Sequence, residues 1–434
     1  MLMSRSDLSP RRLRVLVLDE EFPWPLDSGK RLRSWHLLSR LARRHEVHLV
    51  AFGAANEAGC RVLELAGIHT HPVPPSRPLS PAHLYLHLLA SLLSPLPYSV
   101  IKHRQPAFAA RVRQLCRDGG ESSAGFDLVH CEWTPYAVYA AEFAALPWLI
   151  ATHNLEQEIW RRRAQLARWP WQRAFLQLQA RRMARFERAV FAQASGLTAV
   201  SERDARFIGE QTNSPVWTVA NGVDFERFTP PATPPSGPPH LLYLGSLDWQ
   251  PNIDAVEQLL DSIFPLIRQR FPDAVLDVVG RRPSPALRRR IAASPGVVLH
   301  GGAGDVRPYL AGARAILIPL RAGGGTRIKI LEAMAAGCPV VSSRIGAEGL
   351  AVADERHLLL AESPAEFAHA VARLLNEPSL AVHLTQAARR LVVADYGWAQ
   401  LSDQLEVAWL KTVAACGPRF EVLAGRDFRP AKSA

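Results

Sequence analysis

The sequence predicts an α/β protein built from two parallel-sheet domains. It opens with a buried strand at 14–18, an amphipathic helix at 31–43 and a second strand at 47–52, which together form a βαβ unit. A stretch at 229–239 has six prolines in eleven residues and can form neither a helix nor a central strand. After it the alternation of strand and helix begins again, so the second half repeats the architecture of the first.

Short apolar runs supply the other strands. They lie at 128–130, 147–151, 196–200, 240–245, 274–280, 297–300, 315–320 and 339–343. A last helical segment at about 398–414 has no strand after it. We therefore predict an N-terminal domain at 1–228, a linker at 229–239, a C-terminal domain at 240–395, a helical segment at 396–416 crossing back to the N-terminal domain and a frayed tail at 417–434.

The composition describes a globular and basic chain. Its net charge of +11 comes mostly from arginine, which is compatible with phosphorylated small molecules, anionic membrane surfaces or nucleic acid as partners. A GC-rich genome would produce the same arginine and proline content. The composition alone does not separate these explanations.

The cysteines and apolar segments indicate the compartment. Five scattered cysteines without a C-x-x-C pair argue against a disulfide framework and a zinc site, and fit a reducing compartment. No signal peptide is evident. The apolar run Leu84–Leu93 is about half of the ~20 residues that a membrane span needs, and prolines follow it, so we expect it not to span.

The segment 321–343 carries the clearest chemical pattern. Three glycines at 323–325 follow a predicted strand, and a helix is predicted to start at Thr326 and to stop at Gly337. A helix N-terminus offers free N–H groups to an anion, whereas the cations Arg327 and Lys329 in its first turn are normally unfavourable. The pattern favours a phosphate site over the alternative of a surface helix with two solvated cations.

Several motifs in the same order along the chain resemble one enzyme family. They are Asp27–Arg33, Asn221–Phe228, Tyr243–Asn252, Val278–Gly280 and Leu331–Gly337. Over residues 14–415 the sequence resembles the retaining glycosyltransferases of family four. The resemblance implies the GT-B fold, in which two Rossmann-like parallel-sheet domains face each other across a cleft.

The resemblance also implies a set of donor-binding residues. Glu332 matches the second acid of the family's E-x7-E motif and would bind the ribose hydroxyls; the alternative is an exposed acid paired with Lys329. The first acid is replaced by Gly324, and the usual Arg and Lys after the first C-domain strand are absent at Ser246 and Gln250. This glycine-rich variant resembles a subgroup linked to exopolysaccharide and cell-envelope glycan assembly. The implied donor site comprises Gly29, Lys30, Gly245, Gly280, Gly323, Gly324, Gly325, Thr326, Arg327, Lys329 and Glu332.

Arg327 and Lys329 are expected to supply the charge for the pyrophosphate, and the backbone N–H groups of 322–325 the contacts to the donor sugar. In the N-terminal domain Gly29 would let its loop approach the phosphate, with Lys30 either a charge partner or a solvated lysine. His153 follows a strand and resembles the histidine that the family places beside the donor sugar, so it is the candidate catalytic residue; a structural histidine is the alternative. The candidates on the acceptor side are Asp27, His130 and Glu132.

The mechanism follows from the same resemblance. The sequence has no D-x-D motif, so we expect no metal and no other cofactor in the reaction. The charge of the leaving group would be stabilised by N–H groups, the helix dipole, Arg327 and Lys329. If the resemblance holds, the anomeric configuration is retained.

The segment 160–191 is strongly basic. It contains nine arginines and one acid, Glu187, with aromatic residues interleaved among them. It would dock on anionic lipid headgroups and reach a lipid-linked acceptor, bind nucleic acid, or form a long helix with a core-facing aromatic side and solvated arginines. We expect a cytoplasmic protein without a nucleic-acid partner, and peripheral contact with the inner face of the cell membrane stays open.

The predicted function is transfer of a sugar from a nucleotide-diphosphate donor to a glycan or lipid-linked acceptor in polysaccharide biosynthesis. A GT-B-fold epimerase that acts on the nucleotide sugar is one alternative, although we cannot place its catalytic acids. A relative that binds the nucleotide sugar without chemistry is another.

Overall fold

The computed structural model describes residues 11–54, 58–75, 91, 93–118, 125–233 and 235–416. These residues form two compact units. Residues up to Val219 and from Ser402 onward belong to the first, and Ala220–Leu401 belong to the second. Of the apolar run Leu84–Leu93, all but Ser91 and Leu93 lie outside the described residues, as does the predicted tail at 417–434.

The first unit contains a seven-stranded sheet in which every neighbouring pair of strands is parallel. Its strands are β1 Arg14–Glu21, β2 Glu46–Phe52, β3 Ile68–Val73, β4 Leu128–Cys131, β5 Trp148–Thr152, β6 Gly196–Ala199 and β7 Val216–Thr218. Their order is β3-β2-β1-β4-β5-β6-β7. The central strands are apolar and buried, as a sheet covered on both faces requires.

Helices connect these strands. They are α1 Gly29–Leu41, α2 Ala58–Leu65, α3 Tyr98–His103, α4 Pro106–Asp118, α5 Glu156–Gln165, α6 Pro170–Gln193 and α7 Glu202–Gly209. A 3-10 segment spans Thr134–Phe143. Ser28 caps α1 by accepting from the Arg31 N–H, which is why the helix starts ahead of the predicted residue 31.

The second unit contains a six-stranded parallel sheet in the order β10-β9-β8-β11-β12-β13. Its strands are β8 His240–Leu244, β9 Val275–Val279, β10 Val297–His300, β11 Ala315–Ile318, β12 Val340–Ser342 and β13 Leu359–Leu360. The helices are α8 Gln250–Gln258, α9 Phe264–Arg270, α10 Pro285–Ala292, α11 Arg307–Gly312, α12 Ile328–Ala335, α13 Arg344–Ala347, α14 Pro364–Asn376 and α15 Pro378–Asp395. A π-helical segment, Leu259–Ile263, joins α8 to α9.

The segment before the proline-rich stretch packs within the second unit. The Val223 N–H donates to the Tyr396 carbonyl at 2.9 Å, and Phe228 belongs to the core of this unit. Arg389 donates to the Phe228 carbonyl at 2.9 Å. These contacts explain why the boundary between the two units lies between residues 219 and 220.

Residues from Ser402 onward in the last helix, α16 Trp398–Cys416, pack on the first unit. Arg44 pairs with Asp403 at 2.7 Å, His45 Nε2 lies 3.1 Å from Glu406 Oε1, and Trp409 is fully buried. No helix among the described residues has both the length and the apolar character that spanning a bilayer requires.

Candidate functional site

The glycine loop of the second unit joins β11 to α12. The predicted helix start at Thr326 is wrong, because α12 begins at Ile328 with Arg327 in an extended conformation at its cap. Gly323 and Gly325 have φ angles of +130° and +65°, which side chains rarely adopt, so the loop cannot yet be helical there. At the other end Gly337, with φ +69°, ends the helix as predicted.

Arg327 braces this loop. Its Nη1 donates to the Gly325 carbonyl at 2.7 Å and also to the Gly324 carbonyl. The neighbouring Thr326 carbonyl accepts from Asn221 Nδ2 at 3.3 Å, while the buried Thr326 hydroxyl has no hydrogen-bond partner. The Arg327 guanidinium is thus engaged by the loop itself, and Gly324, where the family has an acid, contributes a carbonyl.

Lys329 is a half-buried cation in the first turn of α12. Its Nζ donates to Asn252 Oδ1 at 3.2 Å and lies 4.7 Å from the centre of the Tyr243 ring. Burial, with a smaller effect of the nearby Arg327 charge, lowers the pKa of Lys329 to about 7. Among the described residues no carboxylate forms an ion pair with it, which leaves this charge uncompensated at short range.

Glu332 lies one turn further along α12. Burial raises its pKa to about 7, although Lys329 and Arg227 lower it. No hydrogen bond or ion pair of this carboxylate is found within the described part of the chain. The alternative of a direct Glu332–Lys329 pair therefore does not hold in this structure.

Gly245 and Gly280 follow β8 and β9 at the carboxyl edge of the sheet. A Cβ atom on Gly280 would lie 2.1 Å from the Gly245 carbonyl oxygen, and one on Gly245 would lie 2.9 Å from Lys329 Nζ. Both positions therefore require glycine because other groups approach too closely. Two residues of this region were not predicted: Asn252, which holds Lys329 and lies in the motif Tyr243–Asn252, and Arg281, which donates to Ser246 Oγ at 3.0 Å.

The first unit gathers polar side chains at the carboxyl ends of β1, β4 and β5. Lys30 Nζ lies 2.7 Å from Asp19 Oδ1 and 3.3 Å from Glu20 Oε2. Burial raises the pKa of Asp19 to about 6 even though Lys30 lowers it. Lys30 is thus neither solvated nor free for a phosphate. Asp19 was not predicted, although its place directly after the first strand is the signal that marks it.

Glu132 is the centre of this buried cluster. His130 Nε2 lies 2.6 Å from its Oε2, and His153 Nε2 lies 3.2 Å from its Oε1. Burial would raise the pKa of Glu132, but the two histidines hold it well below its usual range. Burial lowers the pKa of His153, opposed by Glu132. The three residues predicted separately are therefore one network.

Two further side chains, neither predicted, complete the network. Ser34 Oγ lies 3.3 Å from Asp19 Oδ2 and 3.2 Å from Glu132 Oε1, and Arg33 Nε lies 4.0 Å from Glu132 Oε1. Both are buried on α1, with Arg33 only 1% exposed. Arg33 ends the motif Asp27–Arg33 without having been assigned a role, and Ser34 follows from the helix register.

The last helix fixes one member of the network. Trp409 Nε1 donates to His130 Nδ1 at 2.8 Å. Because Nδ1 accepts, the neutral His130 ring carries its proton on Nε2 and donates to Glu132. His153 Nε2 lies 3.2 Å from Glu132 Oε1, within ion-pair distance but without the alignment of a hydrogen bond, so its Nδ1 is the ring nitrogen turned away from this carboxylate.

Two predicted residues lie apart from this network. Asp27 Oδ1 accepts from Arg31 Nη1 at 2.9 Å and is exposed. Gly29 is the exposed first residue of α1, where it leaves the helix N-terminus uncovered. The structure thus brings together Lys30, His130, Glu132 and His153 in the first unit, and Gly245, Gly280 and Lys329 in the second.

Two family models match consecutive parts of the chain. Residues 33–227 match the model described as Glycosyltransferase Family 4, and residues 238–377 match Glycosyl transferases group 1. The boundary between the matches coincides with the proline-rich stretch. Together they include both clusters described above, except for Asp19, Lys30 and Trp409.

Curated relatives match over different lengths. Glycogen synthase of Mycobacterium tuberculosis is 28% identical over 193 residues, which cover 42% of this chain and 45% of the relative. The GDP-mannose-dependent alpha-(1-6)-phosphatidylinositol monomannoside mannosyltransferase of the same species is 31% identical over 206 residues, covering 42% and 53%. The matches thus span about half the length of these relatives. D-inositol 3-phosphate glycosyltransferase of Salinispora arenicola is 27% identical over 386 residues, covering 81% and 83%.

Solved structures share the fold. Sucrose-phosphate synthase from Thermosynechococcus elongatus has a TM-score of 0.71 at 18% identity and covers 93% of this chain and 100% of its own. Anabaena HepE in complex with UDP-glucose has a TM-score of 0.62 at 15% identity, with coverages of 91% and 99%. At these identities the likeness shows the fold alone, which is GT-B.

Proposed function

Because the chain belongs to the GT-B-fold glycosyltransferases of family four, we propose that it moves a sugar from a nucleotide-diphosphate donor to a glycan or lipid-linked acceptor. We propose further that the transfer retains the anomeric configuration and needs no metal, and that it serves polysaccharide assembly of the exopolysaccharide type in the cytoplasm. One observation carries the donor part of this proposal. Lys329 is a half-buried cation with a lowered pKa, and no carboxylate forms an ion pair with it among the described residues.

A diphosphate is the anion that suits this position. Lys329 lies at the start of α12, where free N–H groups and the helix dipole favour negative charge. An anion bound there would relieve the cost of burying the ammonium group, which its pKa of about 7 reflects. Arg327 would contribute by holding the glycine loop open, and the pyrophosphate would take its charge mainly from Lys329.

The rest of the donor would extend along the same edge. Glu332 has an unpaired carboxyl group that would accept from the ribose hydroxyls, and a ligand bond of that kind would lower its raised pKa. Gly323–Gly325 would offer backbone N–H groups to the sugar. This agrees with what the Anabaena HepE structure binds, UDP-glucose.

In the first unit His153 is the residue that we propose to contact the transferred sugar. With its Nε2 facing Glu132, its Nδ1 would accept from a sugar hydroxyl or stabilise positive charge at the anomeric carbon. Departure of the phosphate would be assisted by Lys329 and the helix N–H groups, and the leaving phosphate would take the acceptor proton. No metal is needed for these steps.

We propose an anionic membrane surface as the place where a lipid-linked acceptor is met. The connection between α5 and α6 exposes Leu166, Trp169 and Trp171 at 46%, 54% and 71%. The same two helices and their connection also expose seven arginines, which are Arg161, Arg163, Arg168, Arg173, Arg181, Arg185 and Arg188. Exposed tryptophans among arginines are typical of a surface that contacts lipid headgroups, whereas a long helix with a core-facing aromatic side would bury them.

The acid of this segment supports the same interpretation. Glu187 is fully buried and accepts from the N–H groups of Glu156 at 2.7 Å and Gln157 at 3.3 Å, so it caps α5. It therefore does not offset the exposed arginines. Flotation on anionic vesicles should fall when Arg161, Arg163 and Arg168 become Gln, but not when the exposed arginines of the second unit, 270, 288 and 289, do. An equal loss of flotation in both triple variants would mean that vesicle binding depends only on the net charge of the protein.

A donor screen tests the catalytic proposal. The protein is incubated with UDP-, GDP-, ADP- and TDP-sugars, and thermal stabilisation, nucleotide release and the configuration of the released sugar are followed. Stabilisation by one nucleotide, with release that depends on added acceptor and persists in EDTA, is the expected result. Stabilisation without release would indicate a binding-only relative, and a changed sugar still attached to its nucleotide would indicate an epimerase. No stabilisation by any donor would refute the proposal.

A further inference from the structure

A cluster of histidines lies on the first sheet, away from the residues proposed for catalysis. Glu46 and His48 stand near the amino end of β2, and His69 and His71 stand on the edge strand β3. The register pairs His48 with His69, so their side chains share one face of the sheet. Asp19, Glu132 and His153 stand at the opposite, carboxyl edge.

Three of these residues converge. One ligand atom from each of Glu46, His48 and His69 lies within 4.8 Å of the other two. His48 Nε2 is already 2.9 Å from Glu46 Oε1, and the His48 and His69 rings stack with centroids 4.5 Å apart. Metal bonds of about 2.0–2.1 Å to nitrogen and oxygen fit between atoms at such separations after small side-chain rotations.

We propose that Glu46, His48 and His69 form a binding site for a divalent transition-metal ion, with zinc as the physiological occupant. One carboxylate and two imidazoles are the donor set that zinc, cobalt and nickel prefer, whereas magnesium and calcium prefer oxygen alone. Three protein ligands leave one position for water. The ion would clip the edge strand β3 to β2, a structural role separate from the transfer reaction.

The surroundings contain an outer shell for this site. His48 Nδ1 lies 2.9 Å from His71 Nε2, and a metal-bound His48 would donate its Nδ1 proton there, as ligating histidines usually do. Arg14 Nε donates to Glu46 Oε1 at 2.7 Å and would hold the carboxylate in place.

One surface arginine opposes the metal. Arg111 Nη2 lies 3.0 Å from His71 Nδ1, which makes Nδ1 the acceptor and puts the His71 proton on Nε2, facing His48. That tautomer places the His48 proton on Nε2, where the metal would bind. Metal binding thus requires Arg111 to release His71, and it moves the proton of each ring from Nε2 to Nδ1 without releasing a proton to solvent.

The test titrates the full chain, freed of metal by EDTA and dialysis, with zinc chloride, and follows cobalt binding by its visible absorption. We expect one zinc per chain, a rise in Tm and a tetrahedral cobalt spectrum. His69→Ala should weaken binding at least tenfold and abolish the spectrum, whereas His383→Ala, an exposed histidine of α15, should change neither. His48→Gln serves as a second ligand variant, checked for folding by circular dichroism.

Arg111→Gln separates a metal site from a hydrogen-bonded histidine network. Without Arg111, the His71 proton can move to Nδ1, so zinc should bind several-fold more tightly. An unchanged or weaker zinc affinity would count against the roles assigned to His71 and Arg111. Zinc bound equally well by His69→Ala and by the unaltered protein would overturn the proposal, because the ion would then be held elsewhere. The proposal would also be overturned if neither the unaltered protein nor the His383→Ala control bound zinc.

Discussion

Replacing Lys329 with Met should make the protein more stable and worse at binding its donor. Lys329 is half-buried, its pKa is lowered from 10.5 to about 7, and no carboxylate forms an ion pair with it among the described residues. A lysine whose folded pKa is depressed costs stability, since the unfolded chain holds the proton more tightly. That cost is full below pH 7 and disappears as the pH rises toward 10.5.

The magnitude follows from the shift. A difference of about 3.5 pKa units corresponds to about 5 kcal/mol, of which roughly 4 kcal/mol acts at pH 7. The substitution also removes the Asn252 hydrogen bond, a loss of about 1 kcal/mol. Lys329→Met should therefore raise the free energy of unfolding by about 3 kcal/mol at pH 7 and leave it little changed at pH 10.

Donor affinity should move in the opposite direction. A charge-assisted hydrogen bond to a phosphate contributes about 1.5–3 kcal/mol, so UDP or the nucleotide found in the donor screen should bind roughly 10- to 150-fold more weakly. In the unaltered protein, affinity should fall as the pH rises above 7, because binding then requires uptake of a proton by Lys329. Lys329→Met should show no such slope.

The assay is urea unfolding at pH 7 and 10, with and without nucleotide, alongside isothermal titration. Lys102→Met, at an exposed lysine of α3, is the matched control and should change neither quantity. If Lys329→Met binds nucleotide as tightly as the unaltered protein, the phosphate site has been misplaced. If it is also no more stable, the argument from the buried charge is wrong.

Three further substitutions test the two clusters. Trp409→Phe leaves the buried His130 Nδ1 without its hydrogen-bond donor. We therefore expect the free energy of unfolding to fall by about 1–3 kcal/mol and kcat to fall at an unchanged donor KM. An unaltered pH profile of kcat would mean that Trp409 only fills space. Gly280→Ala forces its Cβ to 2.1 Å from the Gly245 oxygen and should abolish donor binding in a folded protein, measured by titration and circular dichroism. His153→Ala should lower kcat by at least a hundredfold with the nucleotide still bound, and activity retained within threefold would remove it from the catalytic role.

The sequence predicted the longer, mostly apolar strands and missed one polar edge strand and two very short strands. β3 reads Ile-His-Thr-His-Pro-Val, an edge strand whose polar residues and proline conceal it, while β7 and β13 have only three and two residues. Hydrophobic periodicity detects burial, so short and edge strands leave little signal. The parallel order of each sheet followed from the repeated βαβ pattern.

The candidate sites were predictable to the extent that motifs or strand ends mark them. Gly280, Lys329 and His153 come from such positions, and the structure engages each in close contacts. Their partners were not predictable, because Asn252, Ser34 and the network role of Trp409 depend on which helix face packs against the sheet. Long-range pairs of this kind, such as His130 with Trp409, have no signature in a single sequence.

The two cations of the glycine loop have different tasks, and this bears on the missing acid at Gly324. The Arg327 guanidinium donates to the carbonyls of Gly324 and Gly325. It thereby stabilises two carbonyl dipoles whose negative ends a carboxylate in this loop would repel. A carboxylate in place of Gly324 would compete for that guanidinium and offer Lys329 a partner within the protein. With glycine there, Lys329 forms no ion pair with a carboxylate among the described residues, so its charge stays available to an anionic donor.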